Sequence, residues 1–124
     1  MTRNLGPTSF GDQSVVATGP VGQRAHRRQF EHLTRLEQKL HVVADGVWCL
    51  VGNGLSNQTF IEGPEGLLVI DSGESVEEMA AALRAVREHT SAPVTAVVYT
   101  HFHYCSGTRA VFDEVGGSVP IWAH

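Results

Sequence analysis

From residue 41 onward the chain is a series of short apolar runs cut by turn residues. His41–Ala44, Val47–Val51, Thr59–Ile61 and Leu67–Ile70 are separated by Asp45-Gly46, Gly52-Asn53-Gly54 and Gly63-Pro64-Glu65-Gly66. That spacing predicts successive strands joined by hairpins. Asp71-Ser72-Gly73 closes the last run, and the period then changes. Val76, Met79, Ala80, Leu83 and Val86 recur at helical spacing, which predicts an amphipathic helix. Ser75 and Glu78 ahead of it have the spacing of a capping box. Glu74, Glu77 and Glu78 near its start and Arg84, Arg87 and His89 near its end suit the helix dipole. Ser91-Ala92-Pro93 ends it. Val94–Tyr99 reads as a buried strand, Thr108–Val115 as a short helix stopped by Gly116-Gly117, and Val119–Trp122 as a last strand. Strands first, then strand, helix, strand, helix and strand, is a layered α/β (α+β) arrangement.

The first forty residues follow a different pattern. Residues 1–23 are irregular and rich in glycine, proline and polar side chains, and read as a loop or disordered lead-in. Phe30, Leu33, Leu36 and Leu40 predict a short amphipathic helix within residues 24–40. Charge divides at the same place: residues 1–40 sum to +3 and residues 41–124 to −7. The expected organisation is a basic, partly flexible head over 1–40 and a folded domain over 41–124. The head lacks the dense basic patch with interleaved aromatics that nucleic-acid binding requires.

A chain of 124 residues suffices for one small domain with a modest core. The N-terminus carries no apolar stretch resembling a signal peptide, and no window approaches the length of a membrane span. Cys49 and Cys105 are the two cysteines, too few for a disulfide scaffold. A cytoplasmic protein with reduced thiols is the expectation.

Ligand sites in layered α/β folds gather just outside the carboxyl ends of strands. Two polar groups are expected there: Asp71, and the segment Tyr99-Thr100-His101-Phe102-His103-Tyr104-Cys105-Ser106-Gly107. His101, His103 and Cys105 alternate, so on an extended backbone they point the same way and offer zinc two imidazoles and a thiolate. Cys105 also precedes a helix, whose N-terminus favours an anion. The plainer readings stand beside this one. His-x-His pairs are often hydrogen-bonded surface residues, Cys105 is a small residue that packs, and Asp71 caps a turn. Glu62, His26, His32, His41 and His89 read as solvated or locally bonded.

Gly-Leu-Leu-Val-Ile-Asp-Ser-Gly (66–73), the amphipathic helix and Val-Val-Tyr-Thr-His-x-His (97–103) together resemble the N-terminal half of the metallo-β-lactamase superfamily. The stretch from Gly46-Val47-Trp48 through Gly52-Asn53-Gly54-Leu55-Ser56-Asn57 to Gly63 is similar to the alkyl-sulfatase branch. The resemblance spans residues 41–124. It implies half of an αββα sandwich and a metal-dependent hydrolase that cleaves a sulfate ester with metal-activated water. It also implies one or two zinc ions as cofactor. His101 and His103 match the first two histidines of the family's His-x-His-x-Asp-His motif, which bind one metal. Cys105 and Ser106 stand where the Asp-His pair of the second metal stands, with cysteine a usable ligand and serine a poor one. Asp71 matches the strand-end aspartate that supports the metal loop. His124 falls near a strand end as a further candidate donor. The family's remaining ligands lie beyond this length, so the chain reads as a truncated product, a gene fragment or one piece of a split protein. The implied partners are a small-molecule ester and neither nucleic acid nor membrane. An exposed sheet face also implies a second copy or a complementary C-terminal segment. Hydrolysis of another ester, thioester or lactone, or a non-catalytic fragment with an incomplete metal site, are the alternative expectations.

Overall fold

The structure, a computed structural model, describes residues 12–123. Expectations that fall on residues 1–11, and the candidate donor His124, lie outside the described residues. The chain forms two compact units, Met1–Glu37 and Gln38–His124.

In the first unit, β1 (Val16–Thr18) pairs antiparallel with β2 (Arg24–His26), and α1 (Arg27–Leu33) follows directly. The hairpin was not foreseen, because strands of three residues are too short to show an alternating pattern. Gly22 takes a positive φ of 84° in its turn, which glycine adopts at no steric cost. The helix begins only after His26, whose ring nitrogen caps it by accepting from the Arg28 N–H. It also ends earlier than the apolar spacing suggested. Thr34–Leu36 tightens into a 3₁₀ turn, Glu37 is extended, and Leu40 belongs to the next strand.

The second unit is a six-stranded sheet in sequence order: β3 (Lys39–Ala44), β4 (Val47–Val51), β5 (Gln58–Gly63), β6 (Gly66–Ile70), β7 (Val94–Val98) and β8 (Ile121–Trp122). The first four strands form an antiparallel meander. α2 (Val76–Arg87) and α3 (Thr108–Val115) carry the chain across to parallel pairings of β6 with β7 and β7 with β8. Burial alternates strictly along β4 and β6. Trp48, Leu50, Phe60, Leu67, Val69, Val94 and Val97 thereby gather on one face with Met79, Ala82, Leu83, Val86, Ala110 and Val111 of the helices. Each fully buried Val, Leu, Phe or Met among them contributes about 1.5–3 kcal/mol. Cys49, Ile61, Leu68, Ile70, Ala96 and Val98, on the other face, are only half-buried. The fold is mixed α/β with helices on one side of the sheet.

α2 matches its forecast closely, with one shift of face. Met79, Ala82, Leu83 and Val86 are buried, while Val76 is 37% exposed. The cap is half of a capping box. Ser75 Oγ accepts from the Glu78 N–H at 3.1 Å, but the Glu78 carboxylate takes the N–H of Glu74 instead of that of Ser75. α3 stops at Gly116 in the left-handed conformation, φ 69°, the usual end of a helix.

Candidate metal loop and its supports

The strand directions place the carboxyl ends of β4, β6, β7 and β8 at one edge of the sheet. Three loops meet there: 52–57 after β4, 71–75 after β6, and 99–107 after β7. Asp71 is the first residue past β6. It adopts φ 58°, a left-handed conformation that aspartate tolerates better than most residues. Its N–H donates to Val98 O at 2.9 Å, so the turn leaves the sheet tied to β7. Its carboxylate, on a residue only 8% exposed, accepts from the Thr100 N–H at 2.8 Å and from Thr100 Oγ1 at 2.7 Å. Thr100 Oγ1 in turn lies 2.8 Å from His101 Nδ1.

Past His101 the backbone changes character. His101 is extended, but Phe102–Tyr104 forms a single 3₁₀ turn. At three residues per turn side chains two apart diverge, so the three-point set expected from strand alternation does not form. His101 and His103 remain close, with ring centroids 5.3 Å apart and edge to face. The Tyr104 ring lies 4.6 Å from His101, and the Phe102 ring stacks on His103 at 3.8 Å. Cys105 donates its thiol to Phe102 O at 3.0 Å. Both cysteines are free thiols. Ser106 is exposed.

The far side of the loop is anchored by groups that sequence reasoning did not single out. Ser72, fully buried, donates its N–H to Tyr104 O at 2.8 Å and shares a hydrogen bond with Thr108 Oγ1 at 2.8 Å. Tyr99 Oη reaches the same Thr108 oxygen at 2.5 Å, and Thr108 Oγ1 reaches Cys105 O at 3.0 Å. Gly107 packs so closely on this corner that a Cβ there would overlap the Ser72 carbonyl oxygen and sit 2.7 Å from Met79 Cβ. The loop 52–57 is fixed by a second network. Asn53 Nδ2 donates to Gln58 Oε1 and to Glu78 O, Gln38 Nε2 donates to Asn53 Oδ1, and buried Gln58 donates to Ser56. Asn53 and Gln58 thus hold the loop 52–57 in place. Glu62 is exposed, as expected, while His26 is a helix cap and the His89 ring lies 6.1 Å from that of Trp48.

The donor chemistry bears on a zinc ion in a specific way. Two neighbouring imidazoles suit its preference for nitrogen ligands, but a catalytic zinc has three protein ligands and one open position. Among the described residues no group of three or more His, Cys, Asp or Glu side chains is placed to hold a metal ion. The described residues therefore bring two imidazoles together and place no third donor beside them.

In fold and in this loop the chain is similar to metallo-β-lactamases. Residues 51–104 match the metallo-beta-lactamase superfamily. A metallo-beta-lactamase from Hirschia baltica, 18% identical, superposes with a TM-score of 0.55 over 69% of this chain and 42% of its own. Relatives by sequence include alkylsulfatases. A linear primary-alkylsulfatase of Pseudomonas sp. is 39% identical over 90 residues, which are 68% of this chain and 13% of that protein. The structure of a stereoselective inverting sec-alkylsulfatase from Pseudomonas sp. is 32% identical, with a TM-score of 0.59 over 68% of this chain and 14% of its own. The chain thus spans about one eighth of the length of these alkylsulfatases. No helix among the described residues is long and apolar enough to cross a membrane.

Proposed function

We propose that this chain supplies the first histidine pair of a metal-dependent hydrolase that cleaves alkyl sulfate esters. The observation that carries the reading is the line from buried Asp71 through Thr100 to His101, which sets one imidazole beside His103 at the carboxyl edge of the sheet. His101 and His103 would hold the metal, with Asp71 orienting the loop. A zinc ion bound there would lower the pKa of a bound water and polarise an ester oxygen. Cys105 joins such a site only if its bond to Phe102 O is given up, so we assign it no donor role while that bond is kept. Phe102 is 78% exposed between the two histidines, and this apolar surface suits an alkyl substituent. Leu55 on the neighbouring loop is 82% exposed and adds to it. The similarity to linear and secondary alkylsulfatases supports the same substrate class. Two free thiols suit a reducing compartment, and we place the protein in the cytoplasm.

Hydrolysis of medium-chain alkyl sulfates, measured against thioesters and lactones with and without a chelator, tests the proposal. Sulfate release that the chelator abolishes supports it. Preference for a thioester or lactone, or indifference to the chelator, contradicts it. One observation favours a second reading: no third donor accompanies the histidine pair among the described residues. On that reading the chain by itself is non-catalytic.

A further inference from the structure

We propose that Thr100 is a positioning residue that fixes the neutral His101 ring as its Nδ1–H tautomer and leaves the Nε2 lone pair free. A threonine hydroxyl has one proton to donate. Asp71 as a carboxylate only accepts, so the 2.7 Å contact from Thr100 Oγ1 to Asp71 Oδ2 uses that proton. Thr100 Oγ1 then meets His101 Nδ1 at 2.8 Å as an acceptor, and the ring must be the donor. Nε2 is left as the lone-pair nitrogen, and no described residue hydrogen-bonds it. Histidine in water prefers the opposite tautomer, so the arrangement acts against the ring's own tendency.

Thr100 is exposed, and water competes for its hydroxyl. Three features oppose that competition. The same carboxylate also binds the Thr100 backbone N–H at 2.8 Å, which pins the residue from two sides. The β-branch of threonine restricts χ1, so the hydroxyl spends little time elsewhere. A charge-assisted acceptor is also a stronger partner than a neutral one.

The value of this tautomer to a metal rests on the proposed function, but the tautomer itself does not. It is read by long-range ¹H–¹⁵N NMR of the metal-free 124-residue chain, labelled at histidine, at a pH where the ring is neutral. The expected spectrum shows His101 Nδ1 as the protonated nitrogen. Thr100→Val makes Nε2–H the main form, and Thr100→Ser restores the wild-type pattern. Zinc affinity in Thr100→Val falls roughly tenfold or more, as for other groups that orient a metal's histidines. Nε2–H as the main form in the wild type overturns the proposal, whatever the variants do. An Nδ1–H form that survives Thr100→Val also overturns it. Failure of alkyl sulfate hydrolysis with the tautomer pattern intact would count against the proposed activity alone.

Discussion

The Asp71 carboxylate binds both hydrogen-bond donors of Thr100, the backbone N–H at 2.8 Å and the hydroxyl at 2.7 Å. Asp71 follows β6 and Thr100 lies two residues past the end of β7, so this one side chain ties together the two loops that carry the candidate chemistry. Hydrogen bonds to a charged group contribute about 1.5–3 kcal/mol each. Asp71→Ala loses both and places alanine in a left-handed conformation, itself worth about 1–2 kcal/mol. Because Thr100 is exposed and its donors are re-solvated, we expect a loss of about 3–5 kcal/mol in denaturant unfolding, below the sum of those terms. Asp71→Asn keeps the shape and tolerates the backbone, and should lose no more than about 2 kcal/mol.

Asp71→Asn also has a distinct expected effect on His101. An amide can present its NH₂ to Thr100 Oγ1, which frees the hydroxyl proton for Nδ1. The His101 ring should then change towards Nε2–H even though the fold is kept. NMR of the variant checks this, and an unchanged ring would show that the direction of the Asp71–Thr100 bond does not govern the tautomer.

Gly107 and Gly116 are both glycines at helix ends, and they should respond differently to alanine. At Gly107 the new methyl group meets the Ser72 carbonyl and Met79 Cβ, so a backbone shift in the loop is required. We expect a loss of about 2–4 kcal/mol and a displaced histidine loop. At Gly116 a Cβ meets nothing within 4 Å, and only the positive φ opposes it. The expected loss there is about 1 kcal/mol, with the loop unchanged. Urea unfolding of the two variants separates the effects.

Thr108→Val removes the oxygen shared by Ser72, Tyr99 and Cys105 while keeping the volume. Ser72 is fully buried and retains only its contact with Tyr104 O. A loss of about 1–3 kcal/mol follows from the stranded hydroxyls. Hydrogen exchange should rise at the Ser72 amide, which holds the loop through Tyr104 O.

The sheet and both of its crossover helices were readable because β4, β6 and α2 bury one face at a strict period. The hairpin Val16–Thr18 with Arg24–His26 was not, since three residues carry no period. At the site, the positions of Asp71, His101 and His103 followed from strand ends. The path of Cys105 did not, because the 3₁₀ turn at Phe102–Tyr104 has no apolar repeat to betray it and reverses the alternation on which the three-point set depended. Thr100, Ser72 and Thr108 were hidden for a different reason. Their roles arise from partners about thirty residues away. Local pattern says nothing about such pairs, though a hydroxyl directly before a candidate histidine was an available sign.

The claim that matters most is that His101 and His103 form the metal-binding pair. Calorimetric titration of the purified chain with zinc, repeated on His101→Ala, His103→Ala and Cys105→Ala, tests it directly. The account predicts that the wild type binds zinc, that either histidine variant weakens binding by roughly tenfold or more, and that Cys105→Ala leaves it unchanged. A wild type that binds no zinc, or binding that is unchanged in either histidine variant, would contradict it.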